Sequence, residues 1–197
     1  TPREYWAEIK RNPNRAKFGF GEKAAIINID LQRAYTDTDT FKTAYQTDPN
    51  QLDYINRLSA LARAKNMPVI WTYVAYMDSA DDAGAWGTRT NTPDSLQNIR
   101  EDSERSELDP RLVIVRARDA GINKRMASVF HDTLIPSLLV WHKVDTVILT
   151  GGSTSGCVRA SCVASLSHGY RTINPEECVA DNHEIPHVAN LCDMMLE

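Results

Sequence analysis

Apolar residues along the chain alternate between short runs rich in β-branched side chains and longer stretches with helical spacing. The short runs predict buried strands. They cover residues 23–30, 69–76, 112–115, 145–150 and 170–174. Apolar positions three and four residues apart predict amphipathic helices. These stretches cover residues 53–65, 133–143, 155–168 and 184–196.

Strands separated by helices predict right-handed βαβ crossovers. The expected fold class is therefore α/β, a three-layer α/β/α sandwich with a largely parallel, Rossmann-like central sheet, formed as a single domain over residues 1–197. Residues 77–110 are polar and are predicted as a long functional loop with one short helix near residues 96–100. In such folds the chemistry lies beyond the carboxyl ends of the strands. Asp30 and residues 150–157 occupy such positions.

Composition narrows the class of protein. The 197 residues include 42% hydrophobic and 24% charged side chains, which is typical of a globular chain rather than a disordered one. The net charge of -4 disfavours nucleic acid as a partner. No apolar run is long enough to span a bilayer, and the polar N-terminus lacks the pattern of a signal peptide. We expect a cytoplasmic protein with a small-molecule partner.

Cys157 is the first candidate for chemistry. No pair among the four cysteines has CxxC spacing, which disfavours a zinc knuckle or a redox pair. Cys157 lies at the opening turn of a predicted helix, after a glycine-rich bend. Unpaired N–H groups at such a turn stabilise a thiolate and should lower the pKa of the thiol. The alternative is a small, buried apolar residue.

Two charged residues and the histidines complete the candidates. A carboxylate at the end of an apolar strand, such as Asp30, can act as a base or cap a turn. Lys124 is either a surface lysine or a charge partner for Asp30 and Cys157. The glycine-rich bend lacks the patterns of nucleotide-binding loops, so no cofactor is expected. His183 and His187 are separated by Pro186 and are interpreted as structural, with a metal as the lesser alternative.

Taken together, these positions resemble the isochorismatase-like cysteine hydrolases, and within that family the N-carbamoylsarcosine amidase branch. Four stretches carry the resemblance: residues 29–36, residues 124–130 with Thr133 and Leu134 behind them, residues 144–159 and residues 175–187. The resemblance implies a catalytic triad of Asp30 as base, Lys124 as charge balance and Cys157 as nucleophile. The implied reaction cleaves a C–N bond of a small amide or carbamoyl group through a covalent acyl-enzyme and releases ammonia.

The resemblance also implies an oxyanion hole and a substrate pocket. A non-proline cis peptide at Gly152–Ser153 would direct the N–H groups of Ser153 and Cys157 at the oxyanion. The pocket candidates, on resemblance alone, are Tyr35, Trp86, Phe130, Thr154 and Asn182.

Two departures bear on the substrate. Nicotinamidases of this family hold a metal through histidines between the triad Asp and Lys, and this chain has no histidine there, so no metal is expected. The carbamoylsarcosine branch has an Arg after Asp181 that binds the substrate carboxylate, and this chain has Asn182. Either Arg89 or Arg159 takes that role, or the substrate is different. Small ureido compounds, maleamate-like acid amides and neutral amides all remain open.

The last expectation concerns association of the chain with copies of itself. Apolar residues such as Trp141 and those of the final helix indicate self-association. The family resemblance implies a homo-oligomer, a tetramer or a dimer. The rival to an enzyme is a non-catalytic binding domain on the same fold, and the intact Asp30, Lys124 and Cys157 argue against it.

Overall fold

A parallel six-stranded sheet forms the centre of the molecule. The computed structural model describes residues 1–12, 16–88, 95 and 98–196. The strands run in the order β3-β2-β1-β4-β5, with β6 beside the end of β4, and every pairing between them is parallel. The strands are β1 (Ala24–Ile29), β2 (Val69–Val74), β3 (Ala120–Lys124), β4 (Thr146–Gly152), β5 (Arg171–Ile173) and β6 (Val179–Ala180).

Helices cover both faces of this sheet. They are α1 (Pro2–Arg11), α2 (Arg33–Thr36), α3 (Gln51–Ala64), α4 (Ile135–Trp141), α5 (Arg159–Ser167) and α6 (Glu184–Leu196). Short 3₁₀-helices span Asp81–Thr88, Glu104–Ser106 and Glu176–Cys178, and a π-helical turn spans Thr154–Val158.

The alternation of side chains along β1 divides the core into two layers. Ala25 and Ile27 pack with residues of α1, α4, α5 and α6 on one face. Ala24 and Ile26 pack with residues of α3 on the other. A strand buried on both faces is largely apolar, and β1 is apolar except at Asn28, whose buried side chain is hydrogen-bonded to Ser59 and Thr150. The predicted α/β/α fold with a parallel sheet is confirmed.

The strand predicted at residues 112–115 is wrong. Leu112 and Ile114 belong to an irregular segment that packs on the α3 face of the core. Their apolar character reflects this packing and not strand pairing. The third strand is β3, which pairs with β2. Gly121 and Asn123 interrupt its apolar pattern, so no continuous run marked it in the sequence.

Other boundaries differ from the predictions in smaller ways. Helix α1 was not predicted, although Trp6 and Ile9 form its buried face and Thr1 caps its first turn. The helix predicted at 155–168 begins as the π-helical turn and becomes α-helical at Arg159. Residues 96 and 97 of the predicted short helix lie outside the described residues.

Candidate active site

The carboxyl ends of three strands bring Asp30, Lys124 and Cys157 together. Asp30 follows β1, Lys124 is the last residue of β3, and Cys157 lies in the π-helical turn after β4. The chain leaves β1 for the α3 face of the sheet and leaves β4 for the opposite face. Neighbouring strands whose connections diverge in this way leave a crevice at their carboxyl ends, where α/β proteins bind ligands.

The ammonium of Lys124 joins the three side chains. Its Nζ lies 2.8 Å from Asp30 Oδ2 and 3.3 Å from Cys157 Sγ. It also donates to the carbonyl of Met126 at 3.0 Å, so all three of its N–H groups have an acceptor. Thr72 Oγ1 donates to the other carboxylate oxygen of Asp30 at 2.9 Å. These contacts fix the carboxylate between a hydroxyl and an ammonium.

The pair of charges is buried. The side chains of Lys124 and Asp30 are 0% and 1% exposed. Burial alone lowers the pKa of a lysine, but the charges of Asp30 and Cys157 outweigh burial, and the pKa of Lys124 is raised. Lys124 therefore stays a cation and balances one negative charge at the site.

The thiol of Cys157 differs from the expectation. The surrounding protein raises the pKa of Cys157 to about 12, because burial and the charge of Asp30 together outweigh the opposing effect of Lys124. The predicted lowering of this pKa by a helix N-terminus is therefore wrong. The turn is π-helical, and the thiol faces a carboxylate as well as an ammonium. At neutral pH the resting group is a thiol that needs a base, and Asp30 is adjacent.

Glycines shape the chain that leads to Cys157. Gly151 has a φ of 101°, and a Cβ there would overlap the carbonyl oxygen of Ile29 on the neighbouring strand. The Gly152–Ser153 peptide is cis. The carbonyl of Ser153 accepts from the amides of Gly156 and Val158, both at 3.1 Å, which closes the turn around the cysteine. The assignment of the Ser153 and Cys157 amides to an oxyanion hole stays a prediction.

Of the predicted pocket residues, Tyr35 lies beside the site, and Trp86 belongs to a segment that is tied to the residue after Lys124. Tyr35 is buried, and its pKa is raised well above the usual value by burial and by the charges of Asp30 and Cys157. Trp86 is half-buried in the 3₁₀-helix Asp81–Thr88. An ion pair between Asp82 and Arg125 ties this helix to the residue after Lys124.

Two other predicted pocket residues point elsewhere. Phe130 stacks on His168 and Tyr170, with ring centroids 5.2 and 6.1 Å away. These residues follow the end of α5, which begins beside Cys157, so the Phe130 ring lies at the far end of that helix. Thr154 is fully buried, and its hydroxyl lies 2.8 Å from Nδ1 of His187. The contacts described for both side chains are with residues other than the three candidate catalytic ones.

The structure does not bring together the three candidates for binding a substrate carboxylate. Asn182 is exposed and follows β6. Arg159 lies 3.8 Å from Asp193 of α6, which directs its guanidinium along the surface between α5 and α6. Arg89 lies outside the described residues.

Sequence reasoning missed several residues that surround the site. Tyr45 lies against Gly152, and its ring is 6.2 Å from that of Tyr35. Tyr76 is buried, and its hydroxyl donates to the carbonyl of Arg125 at 2.9 Å. The Thr72 hydroxyl donates to the carboxylate of Asp30. An isolated Tyr or Thr carries no local pattern, so no signal in the sequence pointed to them.

The described residues contain neither a metal-binding cluster nor a membrane-spanning helix. In this part of the chain, no three His, Cys, Asp or Glu residues are grouped so as to hold a metal ion. No helix within the same ranges is long and apolar enough to cross a membrane. Cys162, Cys178 and Cys192 are buried and form no disulfide, as expected of packing residues.

The fold and the site define an α/β protein with a cysteine and a buried Asp–Lys pair at the switch point of a parallel sheet. The isochorismatase domain model matches residues 24–196, and the chain belongs to the isochorismatase family.

Two relatives and one solved structure are similar to this chain over most of its length. The chain is 35% identical over 182 residues to maleamate amidohydrolase of Pseudomonas putida, covering 90% of this chain and 82% of that protein. It is 29% identical over 175 residues to N-carbamoylsarcosine amidase of Arthrobacter sp., covering 85% of this chain and 63% of that protein. The crystal structure of an isochorismatase family protein from Desulfovibrio vulgaris shares the fold, with a TM-score of 0.76 at 18% identity over 88% of this chain and 90% of that one.

Proposed function

We propose that the protein is a cysteine-dependent amidohydrolase that cleaves the C–N bond of a small amide or carbamoyl compound. The observation that carries this proposal is the contact of one buried ammonium, Lys124 Nζ, with both Asp30 and Cys157. A thiol beside a buried carboxylate and a fixed cation has a base and a counter-charge within reach.

The first half of the reaction forms an acyl-enzyme. Asp30 takes the proton of the Cys157 thiol, and the thiolate attacks the carbonyl carbon of the substrate amide. The C–N bond then breaks, the nitrogen receives the proton from Asp30, and ammonia leaves. The raised pKa of Cys157 supports proton transfer during attack over a thiolate formed beforehand.

The second half consumes one water. Asp30 again accepts a proton, now from water, and the resulting hydroxide attacks the thioester carbon. The C–S bond breaks, the thiol regains a proton and the carboxylic acid leaves. Lys124 provides a positive charge beside Asp30 and Cys157 in both halves of the reaction, because its raised pKa keeps it protonated. The Ser153 and Cys157 amides are the proposed donors to the oxyanion.

The proposed substrate class follows from the relatives and from the residue type at position 182. Two relatives are a maleamate amidohydrolase and an N-carbamoylsarcosine amidase. Both substrates are small, and each has a C–N bond next to a carbonyl and a carboxylate elsewhere. The resemblance implies a carboxylate-binding arginine at position 182, and this chain has an exposed amide there, which cannot bind a carboxylate bidentately as a guanidinium does. The chain is 35% identical to the maleamate enzyme and 29% identical to the carbamoylsarcosine enzyme, so maleamate-like acid amides are a candidate substrate beside N-carbamoyl amino acids.

Ammonia release from a substrate panel tests this proposal. The panel contains N-carbamoylsarcosine, maleamate, nicotinamide and a neutral aliphatic amide, each with wild type and Cys157→Ala. We expect turnover of at least one acid amide or carbamoyl compound, and a fall in kcat of at least about 1,000-fold in the variant. A matched control is Cys162→Ala, which removes a buried thiol of the neighbouring helix α5 and should keep most of the activity.

The binding-domain alternative makes the opposite forecast. It expects no ammonia from any member of the panel, and equal heats of ligand binding in wild type and Cys157→Ala. Turnover that survives in Cys157→Ala would reject the cysteine mechanism while leaving an amidohydrolase.

A further inference from the structure

The turn that carries Cys157 is held from outside by a carboxylate that the proposed mechanism does not use. We propose that Asp181 is a positioning residue, which orients the Thr154–Val158 turn so that the Cys157 thiol meets Asp30 and Lys124. This inference rests on the proposed function for its kinetic part and on geometry for the rest.

Strand β6 explains how Asp181 reaches the turn. This strand has only two residues, and they pair with Gly151 and Gly152, the last residues of β4. Asp181 is the next residue after β6, so the parallel pairing places it beside the chain that follows β4. A two-residue strand adds little to the sheet, and its effect here is to fix Asp181 next to the nucleophile turn.

Both oxygens of the Asp181 carboxylate accept backbone amides. Oδ2 accepts from the amide of Ser155 at 2.7 Å, and Oδ1 accepts from the amide of Asn182 at 2.9 Å. Asp181 is 6% exposed, so the contact with Ser155 is largely shielded from water. A charge-assisted bond of this length is stronger than a neutral one. Ser155 is two residues before Cys157, so this bond fixes the start of the reactive turn.

The backbone of Asp181 is fixed by a third segment. Thr47 Oγ1 donates to the carbonyl of Asp181 at 3.0 Å and accepts from its amide at 2.9 Å. Tyr45, two residues earlier, lies against Gly152 so closely that a Cβ there would overlap its hydroxyl. The segment that contains Tyr45 and Thr47 therefore contacts both ends of the connection from β4 to β6.

This arrangement acts on catalysis through distance. Cys157 Sγ contacts Lys124 Nζ at 3.3 Å, and proton transfer to Asp30 needs a similarly short approach. A displacement of about 1 Å can reduce turnover about 100-fold without weakening substrate binding. Loss of the Asp181 bond should therefore reduce kcat more than it changes KM.

The test compares Asp181→Asn, Thr47→Val and the double variant with wild type. Asparagine keeps the size of the side chain but has only one acceptor oxygen, so one of the two amides loses its partner. Valine keeps the shape of threonine without the hydroxyl. Asp39→Asn, an exposed acid in the preceding loop, is the matched control for loss of charge. The readouts are kcat, KM, the melting temperature and hydrogen exchange of the peptide spanning residues 152–158.

We expect Asp181→Asn to lower kcat about 10- to 100-fold with KM within about threefold. Exchange in residues 152–158 should accelerate, with Asp39→Asn unchanged in both readouts. Thr47→Val should act in the same direction and more weakly. The double variant should be no worse than Asp181→Asn, because Thr47 acts through Asp181.

Unchanged exchange in Asp181→Asn would overturn the proposal. The proposal would also be overturned if Asp39→Asn lost as much kcat and as much melting temperature as Asp181→Asn. Strictly additive effects in the double variant would show that Thr47 does not act through Asp181. Wild type that releases no ammonia would reject the proposed function, and the exchange measurement would still decide the role of Asp181.

Discussion

At the scale of single residues, Lys124 and Asp30 show how a charged pair becomes tolerable inside a protein. Removing an ammonium and a carboxylate from water costs several kcal/mol each, and contact at 2.8 Å offsets that cost only with additional hydrogen bonds. Met126, Thr72 and Cys157 provide those bonds. The pair therefore depends on every one of its partners.

Lys124→Met leaves Asp30 as an uncompensated buried charge. We expect a loss of about 3–5 kcal/mol in the free energy of unfolding, measured with urea, together with loss of turnover. The double variant Asp30→Asn with Lys124→Met removes both charges and should recover most of that stability while staying inactive. A single variant as stable as wild type would contradict this account of the buried pair.

The raised pKa of Cys157 predicts how the thiol reacts. Only the thiolate is alkylated, and its fraction grows about tenfold per pH unit below the pKa. With a pKa of about 12, the alkylation rate by iodoacetamide should rise with pH and still be rising at about pH 10.

The control for this measurement is Cys157→Ala, which reports alkylation of the three buried thiols. The rate for a free cysteine is half-maximal near pH 8.5, its ordinary pKa, and levels off about one pH unit higher. A plateau of the Cys157 rate below about pH 8 would contradict the raised pKa and favour a preformed thiolate.

At the scale of elements, the junction between β4 and the π-helical turn decides where the cysteine lies. Gly151 occupies the left-handed region at a φ of 101° and lies directly against Ile29 of β1. Only a residue without a Cβ allows β1 and β4 to stay paired up to their carboxyl ends. Asp30 and the turn with Cys157 are adjacent because this pairing continues to the edge of the sheet.

Gly151→Ala should be strongly destabilising for two reasons. Its Cβ would overlap the Ile29 carbonyl, and the positive φ would strain any L side chain. We expect a loss of at least about 3 kcal/mol in the free energy of unfolding. The matched control is Gly121→Ala in β3, where a Cβ meets nothing within 4 Å. A loss of similar size in both variants would contradict this account.

At the scale of the whole molecule, the surface of α4 stands out. Val140 and Trp141 are 71% and 80% exposed, and Leu134 just before the helix is 54% exposed. Large apolar side chains grouped in this way are costly in water and are typical of association surfaces. This grouping supports the predicted homo-oligomer, which stays a prediction.

Trp141→Glu tests this surface. We expect wild type to sediment as a dimer or tetramer and the variant to shift toward the monomer by at least about tenfold in dissociation constant, since a central aromatic residue contributes most to an interface. Leu61→Glu on α3 is the control, because Leu61 is 59% exposed on the opposite face of the sheet. A monomeric wild type, or an equal shift in both variants, would contradict the prediction.

Local patterns in the sequence determined a large part of this structure. β1, β4 and α6 were predicted because their burial repeats along the chain, within the reach of a few residues. Asp30 and Cys157 became candidates through their positions after two of these strands. The order of chemistry-bearing residues around Cys157 then pointed to the family that the domain match shows.

Only the tertiary structure decided the remaining features, because they depend on groups far apart in the chain. It identified β3 through pairing with β2, buried Lys124, and turned Phe130 toward the end of α5. It also reversed the expected pKa shift of Cys157, since that shift depends on burial and on the carboxylate of Asp30. Spacing along a chain reports which face a residue occupies, whereas charge and distance within the site depend on through-space contacts.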